Sequence, residues 1–265
     1  RGKQPAPVGR LLPGPTPLVP RLELQLADSL SSQAREAVRR RVARWLDAHL
    51  ASFTLPLRRL QAAGLDGAGR GLCFLLVEGL GNVRTADASA LLKTLSAAER
   101  ARLSRLGVRF GVRQVYLPAM LKPRAIELRA RLWATHRRAA GLAPPPPGAV
   151  AFAADAAQPR GFPEAIGFEQ LGPSCLRLDI VERLAARLRA LAREGPFALE
   201  PELMALTGLP AEQLAGVVEA LGFERDGERF VRGKPRRRPR TAPRRRSKTD
   251  SASPFAALRQ MLARS

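Results

Sequence analysis

The sequence predicts a mainly α protein with small β elements, an α+β chain. A helical body is followed by a winged-helix-like module and a disordered basic tail. Three observations predict this. Apolar residues recur every three or four positions over long stretches, the period of a helix with one buried face. Short runs rich in β-branched and aromatic residues interrupt that pattern where Gly and Pro gather. Residues 233–248 (GKPRRRPRTAPRRRSK) carry nine Lys or Arg, three Pro and no Asp or Glu, so they have neither the apolar content nor the charge balance for a core.

In chain order, residues 1–28 form a Pro/Gly-rich segment whose alternation at Leu22, Leu24 and Leu26 predicts short strands. Residues 29–140 form the helical body. Leu30, Ala34, Val38, Val42, Trp45, Leu46 and Leu50 define one expected buried face. Further helices are expected at 52–62, 69–80, 86–95 and 97–106, with Thr85 as one N-cap and Ser96–Glu99 as a capping box for the last. Residues 108–118 (VRFGVRQVYLP) predict paired strands. Residues 122–138 predict a helix with Ala125, Ile126, Leu128, Leu132 and Trp133 inward, and Arg124, Arg131 and Arg138 within about 40° of one another on the other side. That stripe is either a track along a phosphate backbone or an ordinary solvated face.

Residues 141–148 (GLAPPPPG) read as a semi-rigid polyproline linker and the main domain boundary. Residues 149–232 then form the winged-helix-like module. Mixed short strands and loops lead into helices at 176–193, 200–206 and 210–221, and a hairpin follows. Asp226-Gly227 as its two-residue loop would set Arg225 opposite Glu228, Glu224 opposite Arg229 and Phe223 opposite Phe230. The last of the three helices carries Glu212 and Glu219 with no Lys or Arg, which argues against entry into a DNA groove. Residues 233–252 are the basic strip, and 253–265 a short amphipathic segment whose Phe255, Leu258 and Leu262 form an expected docking face for the same chain or a partner.

Charge decides the class of partner. Removing the nine cations of the strip from the net +22 still leaves +13 for the rest of the chain. A polyanion is the matching counterpart, and RNA or another single-stranded nucleic acid is the expected one. The residues expected to touch it are Lys234, Arg236, Arg237, Arg238, Arg240, Arg244, Arg245, Arg246 and Lys248, with the Arg124, Arg131 and Arg138 stripe as a second set. The alternative is a tail that only keeps the chain soluble. Arg outnumbers Lys forty to five, which a GC-rich genome also produces, so the Arg preference by itself says little about phosphate geometry.

Other classes find no support. Apolar runs fall far short of a membrane span of about 18 residues, and residues 1–20 lack the apolar core of a secretory signal. Cys73 and Cys175 stand 102 residues apart without a CxxC or a neighbouring His, and read as reduced, buried residues of a cytoplasmic protein. No G-x-x-x-x-G-K-[ST] loop, DEAD or DExH box, G-x-S-x-G or H-E-x-x-H occurs, and His49 and His136 lack partners at ligand spacing. No catalytic, cofactor-binding or metal-ligating residue is expected, and the chain alone is expected to be inactive. Its first residue is Arg, which suggests a fragment.

Residues 69–80 (GRGLCFLLVEGL), 105–133 (RLGVRFGVRQVYLPAMLKPRAIELRARLW) and 253–258 (SPFAAL) together resemble the C-terminal region of bacterial, chiefly alphaproteobacterial, superfamily-two DEAD/DExH-box helicases similar to the mitochondrial degradosome RNA helicase. The similarity runs from about residue 8 to 262, and the G-V-R-F-G…Y-L-P-A-M-L-K-P block is its most specific part. It implies an ATP-dependent helicase acting on RNA, with DNA as the alternative. Upstream RecA-like domains would supply ATP and Mg binding. No catalytic residue carries over onto this chain. Two functions stay open: a nucleic-acid-binding accessory region that braces the motor, and a scaffold that docks a nuclease or a ribosome-associated protein without touching nucleic acid.

Overall fold

A computed structural model describes residues 8–233. The chain opens with an antiparallel hairpin, β1 (Gly9–Leu12) against β2 (Arg21–Leu24). Ser31 then starts α1 (Ser32–Gln61), its hydroxyl accepting the Ala34 N–H at 3.2 Å. The helices expected at 29–50 and 52–62 are one, with Pro56 inside it at the loss of one rung of the hydrogen-bond ladder. Next come α2 (Gly67–Glu78), β3 (Asn82–Arg84), α3 (Ser89–Thr94) and α4 (Ala97–Arg105). The Ser96–Glu99 capping box forms in both directions. Thr85 is not a cap: Ala88 precedes α3, and the Thr85 hydroxyl donates instead to the Gly111 carbonyl.

The expected strands in 108–118 are β4 (Arg109–Phe110) and β5 (Gln114–Tyr116), and β3 joins β5 on its other side in an antiparallel sheet of order β3-β5-β4. A 3-10 turn over Pro118–Leu121 leads into α5 (Pro123–Arg137), with Pro at its first position. Beyond the prolines lie β6 (Ala151–Ala153), the single turn α6 (Phe162–Ala165), β7 (Phe168–Leu171) and β8 (Ser174–Arg177), ordered β6-β8-β7. Then follow α7 (Leu178–Glu194), α8 (Pro201–Thr207), α9 (Ala211–Ala220) and the hairpin β9 (Phe223–Asp226)–β10 (Arg229–Arg232).

The polyproline stretch does not divide the core. One cluster gathers Leu57, Leu72, Leu76, Leu103, Val115 and Met120 from before it, and another gathers Leu184, Leu188, Leu214, Val217 and Phe230 from after it. A third joins Leu80, Ile126, Ala130 and Trp133 to Phe162, Ile166, Phe168 and Cys175. Residues 8–232 therefore make one compact unit, where two were expected. Four prolines forbid a helix through 141–148, but closing so short a loop costs little, so the flanks are free to pack on each other.

The last hairpin differs from its expected register. Asp226 faces Arg229, Arg225 faces Phe230 and Phe223 faces Arg232, so the loop is Gly227-Glu228, with Gly227 at φ +61°. Moving the loop by one residue changes the pairing by two, which keeps Phe223 and Phe230 on the same face. Both rings pack on Phe197, and backbone bonds between Phe197 and Phe230 tie in that residue as a further β-bridge. Packing on Phe197 outweighs the two surface charge pairs, which do not form across the strands. Arg225 reaches Glu212 of α9 instead, at 3.1 Å.

Candidate nucleic-acid interface

The expected contact residues Lys234, Arg236, Arg237, Arg238, Arg240, Arg244, Arg245, Arg246 and Lys248 lie outside the described residues, as do Phe255, Leu258 and Leu262. The second expected set lies within them. Arg124, Arg131 and Arg138 are all exposed on α5 or at its end. Arg131 holds Glu127 one turn back at 2.6 Å, an exposed pair that leaves its charge half spent. Arg138 closes the helix in the left-handed region at φ 54°. Arg124 has no side-chain partner among the described residues.

A second group of cations, spread around the first half of α1, lies outside the expected stripe. The first half of α1 presents Arg35, Arg39, Arg40, Arg41 and Arg44, against Glu36 and Asp47. Arg39 and Arg40 share Glu36 at 3.9 Å, and Arg35 holds the carbonyls of Ala27, Asp28 and Leu30 in the turn before the helix. Arg41 and Arg44 have no hydrogen bond or ion pair among the described residues. Trp45, expected in the core, is 62% exposed.

Four carboxylates, by contrast, are engaged by the fold, although only Glu169 is buried. Glu182 of α7 accepts the backbone N–H groups of Val112, Arg113 and Gln114, each at 2.8 Å. Its carboxylate sits where a Cβ on Gly111 would be, so the bend between β4 and β5 requires glycine there. Glu169 of β7, itself 6% exposed, takes the Arg113 guanidinium, and Glu164 takes Arg84 at 3.1 Å. Glu99 accepts the Gly69 N–H besides its own cap, and the Ser96 hydroxyl and backbone, followed by Gly69, hold its carboxyl below the usual range.

Arg129 is the deepest charge, at 1% exposure. It donates to Asn82 Oδ1 and to the carbonyls of Ala165 and Met120, the latter two at 2.8 and 3.1 Å. Burial pushes the guanidinium down to about 9, so it stays charged at neutral pH, held by carbonyl oxygens at the end of α6 and in the 3-10 turn. Gly167, at φ +89°, gives it room, since a Cβ there would meet Arg129 and Leu121. The Glu182 and Arg113–Glu169 contacts join residues 56 to 70 positions apart. The only sequence signal pointing to them is the glycine placed between Phe110 and Val112.

Burial raises the Cys175 thiol to about 11, with the Glu164 charge adding to it, and raises Cys73 as well. Among the described residues no cluster of His, Cys, Asp or Glu could hold a metal, and no helix is long and apolar enough to cross a membrane. No family model matches the chain, and no curated protein or solved structure does either.

Proposed function

We propose that this chain is the non-catalytic C-terminal accessory region of an ATP-dependent helicase, holding the phosphate backbone of RNA or another single strand and bracing the motor domains. One observation carries the reading. The acidic groups Glu99, Glu164, Glu169 and Glu182 are engaged inside the fold or with backbone amides, while Arg41, Arg44 and Arg124 face solvent unpaired among the described residues. With 45 Lys and Arg against 23 Asp and Glu in the chain, these solvent-facing cations add to a positive field that suits backbone contact without base reading. The order α7, α8, α9 and then a hairpin is that of a winged helix. With Glu212 and Glu219 on α9, such a module serves packing rather than groove reading.

The acidic α9 also favours a second reading, a scaffold that docks a protein partner there without touching nucleic acid. Salt separates the two. With about six cations of residues 233–248 engaged, affinity for a single-stranded oligonucleotide should fall with a log–log slope of roughly −4. Replacing Arg236, Arg237, Arg238, Arg244, Arg245 and Arg246 by Gln should flatten the slope and weaken binding to all sequences alike. Absence of oligonucleotide binding by the parent chain at low salt would leave the scaffold. RNA-stimulated ATP turnover by the purified chain would overturn the non-catalytic assignment.

A further inference from the structure

The first half of α1 has a face that the fold leaves uncovered. Not one residue from Ser32 to His49 is buried, and the first buried position of the helix is Leu50. Within that stretch Trp45 stacks on His49, with ring centroids 5.2 Å apart and planes 15° from parallel, and Phe53 meets His49 edge-on at 5.2 Å. The rings stand one turn apart, at i, i+4 and i+8, and make a ladder along the helix. Arg41, one turn before Trp45, lies about 40° from it around the axis, and Arg44 about 100° away on the same side.

We propose that Trp45, with Arg41 and Arg44, forms a stacking site for single-stranded nucleic acid. An exposed indole already stacked on one side offers its other face to a planar group. Unpaired guanidiniums beside it match the phosphates that a base brings with it. Charge selects this occupant over an apolar groove on a protein. Residues 32–49 hold five Arg against Glu36 and Asp47, a net +3, and burying Arg41 and Arg44 without acidic partners would be costly. A convex helix reaches base faces only where they are unstacked, so a single strand is favoured over a duplex. The site deepens the nucleic-acid reading above and depends on it.

The test uses the full chain and the sixfold Arg→Gln variant, so that the basic strip cannot mask the site. Probes are a 15-nucleotide oligouridylate, its oligothymidylate counterpart, and heparin as a polyanion without bases. Of the two tryptophans Trp133 is buried, so Trp45 dominates any change in fluorescence on binding. Both oligonucleotides should quench it and heparin should not. In the sixfold variant, Trp45→Ala should abolish the quench and weaken oligonucleotide binding about tenfold, within the range for one stacking residue. Trp45→Phe should keep most of the affinity, and Arg41→Gln with Arg44→Gln should reduce the salt slope by about 1.4. All of these side chains are exposed, and unchanged melting curves verify that the fold is intact.

If the parent binds oligonucleotide while Trp45→Ala changes neither quench nor affinity, the site is rejected and the accessory reading survives. If the parent binds none, both are lost. Equal quenching by heparin, or an associating chain that Trp45→Ala turns monomeric, assigns the face to other uses and rejects the site.

Discussion

α7 and the first half of α1 have the same apolar period and different fates. In α7, Leu178, Ile180, Val181, Leu184, Ala185, Leu188 and Leu191 are all buried, because α8, α9 and the strands around them close over that stripe. In α1, Val38, Val42 and Leu46 reach only partial burial and Trp45 stays in solvent. The difference teaches that an amphipathic pattern states which face is apolar and not what covers it. Helical stability in a protein comes mainly from that cover.

The sharpest way to break the comparison is a truncation on each helix. Leu184→Ala removes a fully buried side chain and should cost about 2–5 kcal/mol in denaturant unfolding. A loss near zero would mean that α7 does not carry the core of its half.

Next comes the alkaline limb of stability. The Cys175 thiol is raised from 9 to about 11, so its neutral form stabilises the fold fully below pH 9, and that contribution is lost as pH rises toward 11. The opposite trend from Arg129, whose folded value is depressed, makes a direct reading ambiguous; the parent must be compared with Cys175→Ala. Between pH 9 and 11 the parent should lose on the order of 2 kcal/mol relative to that variant. Parallel melting curves across the window would place the thiol in contact with water.

The junction between the two halves is tested by Glu182→Ala, which strips three backbone N–H groups of their acceptor. The cost should be about 1–3 kcal/mol, with Glu182→Gln recovering part of it. Proteolytic cutting within 141–148 should leave the parent's fragments co-eluting on gel filtration, since the core crosses the cut. Fragments that separate at once would restore the two-module organisation.

The smallest effect belongs to the uncovered helix. Val42→Ala trades a half-buried β-branched side chain for a better helix former and should stay within about 0.5 kcal/mol. A loss comparable with Leu184→Ala would show that some other surface covers α1 in solution.

Local features were legible in the sequence wherever their cause was local. The Ser96–Glu99 capping box, the paired strands in 108–118, the three helices after the prolines and four of the five inward residues of α5 depend on residues a few positions apart and are present, while Leu128 stays half-buried. The last hairpin was misplaced by one loop residue because its register answers to Phe197, 26 positions before Phe223. Periodicity places Trp45 in the core because it counts an aromatic ring as buried whether or not a neighbour exists, and no neighbour covers it. The basic exterior was legible as a total of +22, but not as a distribution.

By itself, the sequence determined the helical periods, the Ser96–Glu99 cap, the breaks at Gly and Pro between elements, and the excess of cations, since these follow from propensity, sterics and charge counted along the chain. Only the tertiary structure decided that the polyproline stretch joins two parts of one core. It also decided that Arg129 is buried among carbonyls and that Glu182 holds a turn about 70 residues away. Those outcomes rest on which surfaces meet in space. Pairing at such separations is set by the shape and packing of whole elements, and no local pattern encodes it.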